Sequence, residues 1–465
     1  MELFTAILGD VNTFLYSKFL ILVLVITGVY FTIRTGFVQI RLLPDAFRVL
    51  SEKSRKGGIS AFQALMIATA SRVGTGNISG VATAIVMGGP GAVFWMWLMA
   101  LLGGASAFIE STLAQVYKKP AGERFRGGPA YYIERAMKAR WLGVIFAVLL
   151  IACFAYGFNG LQSYTLTSAF DHYIEGFAEG KAPLIIGGVL ALLTAVVLFG
   201  GAHRISIISS VLVPVMAGLY VAAGLVIIFK NLAQIPDVLA LIFRDAMDFQ
   251  AIFGGFAGSC VVIGIKRGLF SNEAGMGSAP NAAAAADVSH PAKQGLVQVL
   301  SVFIDTIVIC STSAFVVLLS GLAQTGGALT AIPLIQQSVA VQFGDAGIHF
   351  VTISICLFAF TSLIGNYFYA EANIQFIHES PVLLFLFRLS AVAMIFIGAQ
   401  FNLTTAWDLA DVLMGAMATV NIIAMFALGG IAIRVLKDYQ RQKAQGLEPV
   451  FRAAEIGLHN TDVWK

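Results

Sequence analysis

The sequence predicts an all-α polytopic membrane protein of eleven transmembrane helices, arranged as two inverted sets of five behind one extra N-terminal helix. Three observations carry this. Of the 465 residues, 58% are hydrophobic and only 12% are charged, about half the charge of a soluble domain, and the mean hydropathy is +0.85. The apolar residues fall into long runs without Asp, Glu, Lys or Arg, and a spanning helix needs roughly 20 such residues. Two of these runs are interrupted by polar, glycine-rich stretches at corresponding places in the two halves. The composition excludes a soluble enzyme, a disordered chain and a nucleic-acid-binding domain, and a net charge of +4 suggests no polyanion partner.

Residues 1–58 hold the extra helix, around Phe19–Ile33, and a cytoplasmic loop. Residues 59–230 hold the first set: a helix from Ser60, a reversal at Gly88-Gly89-Pro90-Gly91 into the next, then Leu142–Phe170, Ala182–Phe199 and Ile205–Phe229. Residues 250–435 hold the second set, with runs at about 250–287, 295–320, 346–370, 381–400 and 408–433, and residues 436–465 form a tail. Basic residues set the orientation. The loop 34–58 carries Arg34, Arg41, Arg48, Lys53, Arg55 and Lys56, and the loop 118–140 and the tail are equally rich. Loops on the other side carry only Lys18, Lys181, Lys230 and Arg244. The N-terminus is therefore expected outside and the tail in the cytoplasm. An odd number of spans per set inverts the second set relative to the first.

Cys153, Cys260, Cys310 and Cys356 lie in apolar runs without CxxC spacing, which argues against a disulfide framework or a zinc site. They read as packing residues. No cofactor and no obligate protein partner is expected; the partners implied are the lipid bilayer and a small solute.

The interruptions carry the functional signal. The first helix runs through Ala61–Ala70, meets Ser71-Arg72-Val73-Gly74-Thr75-Gly76-Asn77, and resumes as Ile78–Met87. The second, from near Gln250, meets Ser271-Asn272-Glu273-Ala274-Gly275-Met276-Gly277 and resumes after Ser278 and Pro280, which suit a cap and a first turn. Paired broken helices in inverted repeats are the pattern of secondary transporters, with the solute held at the bilayer midplane. Half-helix N-termini offer N–H groups to an anion and half-helix C-termini offer carbonyls to a cation, so a zwitterionic amino acid plus a monovalent cation suits such a centre.

At these residues the chain resembles the alanine/glycine:cation symporter family. The resemblance rests on Val73-Gly-Thr-Gly-Asn77, Gly88-Gly-Pro-Gly-Ala-Val-Phe-Trp-Met-Trp97, Gly268-Leu-Phe-Ser-Asn-Glu-Ala-Gly-Met-Gly-Ser-Ala-Pro280, Phe303-Ile-Asp-Thr306 and Phe358-Ala-Phe-Thr-Ser-Leu-Ile-Gly365. It implies the leucine-transporter type of fold plus one N-terminal helix, and sodium- or proton-driven uptake of small neutral amino acids such as alanine and glycine across the bacterial inner membrane. It also implies a sodium site at Thr361 and Ser362, completed by carbonyls near Ala70 and Val73. Two positions depart from the family pattern: Arg72, where many members carry a small or hydroxyl residue, and Asn366, where many carry tryptophan.

Gly74, Thr75 and Gly76 are candidates for the substrate carboxylate, because backbone N–H groups that open a half-helix have no intrahelical partner. Asn77 is a candidate for both cation and substrate, or a cap of the second half-helix. Thr361 and Ser362 have the alternative of bonding back to carbonyls four residues earlier. Asn159 and Gln162 share a helical face and are expected to line the substrate path or to join helices. Carbonyls around Phe270, Ser271 and Gly275 are candidates for the ammonium, with Met276 as an apolar wall and Asn366 in the pocket. The intramembrane charges Arg72, Glu110, Glu273, Asp305 and Glu371 each need a partner or a hydrated cavity. Arg72 lies about 12 residues, roughly 18 Å, into its span; its expected partner is Glu273 or Asp305, while Glu110 and Glu371 are expected at gates.

Overall fold

The computed structural model describes residues 2–52, 54, 58–122, 124–177, 179–248, 255, 259–327 and 329–464. The expected start of the second set at Gln250, and Lys53, Arg55 and Lys56, lie outside the described residues. A continuous helix over 2–34 (α1) leads into two short helices, α2 (Val38–Arg41) and α3 (Leu43–Leu50). Ser60 then opens α4 (Ala61–Arg72) with a capping box: its hydroxyl accepts from the Gln63 N–H, and the Gln63 side chain accepts from the Ser60 N–H. The helix stops at Val73 and resumes as α5 (Gly76–Gly88), whose first turn is a π-turn. Gly89, at φ 84°, makes the reversal into α6 (Ala92–Val116).

The expectation of an all-helical chain needs one amendment. The basic loop after α6 folds into an antiparallel pair, β1 (Lys119–Ala121) with β2 (Arg124–Arg126), and a helix α7 (Pro129–Met137). Three further helices complete the first half: α8 (140–168), α9 (Ala182–Leu198) and α10 (Gly201–Lys230). A helix α11 (Ile235–Ala246) lies between the halves.

The second half repeats the opening. Ser259 caps α12 (Cys260–Asn272), and the chain breaks where Glu273, Gly275 and Gly277 adopt positive φ of 53°, 85° and 89°. Glycine takes that backbone without strain, and Glu273 needs compensating contacts. The chain resumes as α13 (Pro280–Ala285), with proline in the first turn as expected. Ser278 is not the cap: Ala279 holds that position, and the Ser278 hydroxyl instead donates to Glu273 Oε2 at 2.6 Å. The remaining helices are α14 (Pro291–Leu319), α15 (Ala331–Phe343), α16 (Asp345–Ile377), α17 (Pro381–Gly398) and α18 (Leu403–Ala444). Seven helices among the described residues are long and apolar enough to cross a membrane, with shorter apolar helices at Ile21–Arg34, Gly76–Gly88 and Ala182–Leu198.

Packing sorts these helices into two layers. The broken helices are almost wholly buried and their neighbours α6, α14 and α16 mostly so, whereas α9, α10 and α17 expose many large apolar side chains such as Leu192 at 68% and Val382 at 67%. An apolar belt of this kind needs lipid as its solvent. The two breaks thus meet protein on all sides, where irregular backbone is tolerable.

The ends of the two broken helices meet on the face that carries the basic loops. Ile59 and Ala286 form a parallel bridge, and Asp287 N donates to Ile59 O at 2.9 Å. The tail crosses this junction. Phe451 N donates to Ser289 O, and Trp464 Nε1 donates to Gln115 O at 2.7 Å. Lys118 lies between the Phe125 and Trp464 rings and donates to Ala286 O at 2.7 Å. Lys293 binds Glu52 at 2.8 Å and Glu448 beside it. The hydrogen bond from Lys293 holds the Glu448 carboxyl below its usual range. A lowered folded-state value means the contact stabilises docking at neutral pH and is lost as pH falls through that value. Amide protection of Phe451, corrected for intrinsic exchange, should therefore fall below about pH 4. Lys293→Met should flatten that step; an unchanged step would place its origin elsewhere.

Candidate functional site

The two breaks face each other; two buried polar groups join them and a third anchors the second break to its neighbours. The first is built on Asn77. Its Oδ1 accepts from the Gly74 N–H at 3.0 Å, closing the break on itself. Its Nδ2 donates to Asp305 Oδ1 at 2.6 Å and to Ser271 Oγ at 3.1 Å. Ser271 donates to Asp305 Oδ2 at 2.5 Å, as does Thr306 at 2.9 Å, and the Cys310 thiol lies 3.0 Å from Ser271 Oγ. Asp305, Thr306 and Cys310 share the π-helical segment Phe303–Cys310 of α14, and such segments recur at functional sites because they redirect side chains off the regular spacing.

The second group joins the end of α4 to the start of the second break. Ser71 Oγ lies 2.9 Å from Glu273 Oε1 and 2.6 Å from Asn366 Oδ1, and Asn366 Nδ2 donates to Asn159 Oδ1 at 2.9 Å. The third holds the second break against α6 and α18. Glu110 accepts from the Gly275 N–H at 3.1 Å and from Asn421 Nδ2 at 2.7 Å, and Asn421 Nδ2 also reaches Gly275 O at 2.9 Å. The Tyr132 hydroxyl completes this group through Asn421 Oδ1.

The sequence-predicted residues fall into place unevenly. The Thr75 N–H is not unpaired, because Gln162 Oε1 accepts from it at 3.0 Å. A buried N–H demands an acceptor, and the amide oxygen stands where a carboxylate oxygen would sit. Gly74 and Gly76 are required by space: a Cβ on Gly74 would lie 2.4 Å from Ser362 Oγ, and one on Gly76 would lie 2.4 Å from Phe270 Cε1. Ser362 Oγ reaches Val73 O at 3.5 Å, and Gly365 packs on Ala70 and Ser71 backbone, so α16 lies against the end of α4. Thr361 takes the alternative bonding as well, donating to Leu357 O and Phe358 O. Phe270 and Ser271 lie in the last turn of α12, where carbonyls lack helical donors. The Gly275 carbonyl accepts from Asn421 Nδ2 at 2.9 Å, which leaves its second lone pair for another donor. Met276 is buried.

The charges depart furthest from expectation. Arg72 is buried, but among the described residues it makes no ion pair with Glu273 or Asp305; Nη1 reaches Gln298 O and Oε1 at 3.5 and 3.4 Å, and Nε and Nη2 have no hydrogen-bond partner. The π-segment turns Asp305 toward Asn77, and Glu273 is occupied by Ser71 and Ser278, so both carboxylates are satisfied by neutral donors. Glu371 pairs with Arg388 at 3.7 Å on the basic-loop side. Glu110 is a partner of the second break, not of a salt bridge. Sequence reasoning missed Cys310, Gln298 and Asn421, and a buried charge group of Lys266, Arg267 and Asp411. The last had a legible signal: two adjacent bases inside an otherwise apolar run.

Interrupted membrane helices that meet at a buried polar centre define the class of broken-helix secondary transporters. The chain matches the sodium:alanine symporter family over residues 1–453 and belongs to that family. It is 46% identical over 467 residues to the amino-acid carrier protein AlsT of Bacillus subtilis, covering 100% of this chain and 99% of that one. It is 47% identical to the probable sodium/glutamine symporter GlnT of the same organism, covering 98% and 94%. Its fold is shared with a manganese transporter of Eremococcus coleocola, at a TM-score of 0.53 and 15% identity over 86% of this chain and 81% of that one.

The crowding at Gly76 makes a test of the site. Gly76→Ala should reduce transport by more than about tenfold while the protein still assembles, since overpacking a close contact costs about 1–3 kcal/mol. Adding Phe270→Leu should restore part of the loss. Wild-type uptake by Gly76→Ala alone would show that this contact does not bear on transport.

Proposed function

We propose that this chain couples the entry of a small neutral amino acid, such as alanine or glycine, to the entry of sodium by alternating access. In this reading eleven helices span the inner membrane of a bacterium, with the N-terminus outside, the basic loops and the tail in the cytoplasm, and residues 59–230 and 250–435 as inverted repeats. The observation that carries it is the convergence of both helix breaks on Asn77, Ser271 and Asp305.

The substrate carboxylate takes the Thr75 N–H that Gln162 now occupies, beside Gly74 and Gly76. The ammonium meets the carbonyls at the end of α12, near Phe270, Ser271 and Gly275, with Met276, Asn159 and Asn366 around the side chain. One cation is held by Asn77 together with Asp305. Another is held by Thr361 and Ser362 with the carbonyls of Ala70 and Val73. Oxygen donors of this kind suit a hard monovalent cation. The carboxylate of Asp305 also supports proton coupling as a second reading, because a carboxylate can carry a proton where an amide cannot.

Uptake of labelled alanine into proteoliposomes, with sodium and proton gradients imposed separately and other amino acids as competitors, tests this directly. Concentrative uptake driven by sodium is expected; uptake indifferent to both gradients would overturn the reading. Asn77→Ala removes a ligand and a hydrogen bond to a charged group, worth about 1.5–3 kcal/mol, and should weaken sodium activation about tenfold or more. Asn366→Trp should shift the competition profile toward glycine and alanine through steric exclusion, and an unchanged profile would remove Asn366 from the pocket.

A further inference from the structure

The charge group that the sequence reading missed lies away from the basic-loop face and above the central site. Arg267 forms a two-pronged pair with Asp411, Nη2–Oδ2 at 2.9 Å and Nη1–Oδ1 at 3.3 Å. Lys266 reaches the same carboxylate at 2.8 Å. The Arg267 guanidinium also lies 3.8 Å from the centre of the Trp407 ring, a short cation–π contact. Trp407 in turn packs edge-on to Phe270, with centroids 5.0 Å apart, and against Gly80. Phe270 covers Gly76 and touches Phe158 at 4.6 Å. A continuous stack therefore runs from Asp411 through Arg267, Trp407 and Phe270 to the opening turn of α5.

Its position gives it a use. A cavity of about 330 Å³ opens on the same side, lined by Ser79, Tyr164, Thr165, Phe401 and Leu403. Ser79, one of its lining residues, precedes Gly80 on α5, and Gly80 packs against the Trp407 ring, while Asn77 and Ser271 are fully buried. Among the described residues the indole Nε1 of Trp407 and Nε of Arg267 are buried without hydrogen-bond partners, so the ring is held by packing and by the guanidinium on its face. The extra N-terminal helix braces the arrangement. Asn12 accepts from Lys266 at 2.9 Å and donates to Asp408 at 2.7 Å, and the Tyr16 hydroxyl donates to Asp411 O at 3.0 Å.

We propose that the Arg267–Asp411 pair is the latch of the gate opposite the basic face, that Arg267 is the positioning residue that holds Trp407 over the central site, and that α1 supports the latch through Asn12 and Tyr16. The proposal rests on the reading of that centre as the transport site. Opening requires the pair to separate and Trp407 to leave Phe270. Removing Asp411 leaves two buried cations, Lys266 and Arg267, without their shared anion, whereas removing Arg267 leaves Asp411 to Lys266 but takes away the cation that holds Trp407; either change favours the open arrangement.

Cys310 supplies a native reporter, since its thiol lies at the centre, 3.3 Å from Asn77 Nδ2. Cys260 and the partly exposed Cys356 are replaced by serine, with Cys153 kept as a buried control. Labelling by a membrane-impermeant methanethiosulfonate is followed from each side of the membrane. Arg267→Gln and Asp411→Asn should each speed Cys310 labelling at least about tenfold from the side away from the basic loops, without speeding Cys153. The conservative change Arg267→Lys, which keeps a cation beside both Asp411 and the Trp407 ring, should leave the rate nearer wild type than Arg267→Gln, which a merely loosened fold would not do. Trp407→Ala should speed labelling with the ion pair intact. Unchanged rates in both single variants, or equal acceleration at Cys153, would overturn the latch. Protection of wild-type Cys310 by sodium with alanine reads the transport-site assignment separately, so failure of that protection leaves the latch rates interpretable.

Discussion

Lipid cannot satisfy a broken helix, and that constraint organises this molecule. Each break strands N–H and C=O groups that would cost several kcal/mol if left unpaired in an apolar medium. The partners therefore come from other helices: Gln162 from α8 serves the first break, and Glu110 from α6 and Asn421 from α18 serve the second. Satisfying the breaks thereby ties the two broken helices to three partner helices. The lipid-facing helices α9, α10 and α17 are free of this duty and carry ordinary apolar sequence.

The same economy governs the buried charges. Glu110, Glu273 and Asp305 are each held by hydroxyl, amide or backbone donors, and among the described residues Arg72 has hydrogen-bond acceptors only in the two Gln298 carbonyl oxygens. Three acidic side chains and one guanidinium thus share the centre, and among the described residues no salt bridge joins them. Neutral donors can exchange partners at lower cost than a tight ion pair, and in the proposed reading the acidic side chains favour a cation there. Among the buried charges that do pair directly, Arg267 with Asp411 and Arg388 with Glu371 sit on opposite sides of the centre. In the proposed reading, ion pairs lie where the molecule closes and hydrogen bonds where it binds.

The fold was legible because hydropathy and the basic loops record the demands of the bilayer directly. The breaks at Gly74–Gly76 and Gly275–Gly277 were legible because glycine and polar residues have no other reason to interrupt such runs. Helix ends were read less well: Ser278 looks like a cap, yet its hydroxyl serves Glu273, a choice made by a carboxylate five residues earlier. The partner of Arg72 was misjudged because span depth gives distance along a helix and not the direction of the side chain. The π-segment that turns Asp305 toward Asn77 leaves no mark in periodicity. Cys310 reads as filler because its role follows only from the Ser271 and Asn77 groups that the fold brings to it.

The central claim is that the two breaks form one site shared by an amino acid and a cation. Equilibrium binding of labelled alanine to the purified protein, measured across a sodium titration, tests it most directly. Coupled sites must shift each other's affinity equally, so alanine affinity should rise with sodium and sodium affinity should rise with alanine by the same factor. Alanine binding that is tight and independent of sodium, in the absence of a proton gradient or pH change, would contradict the account.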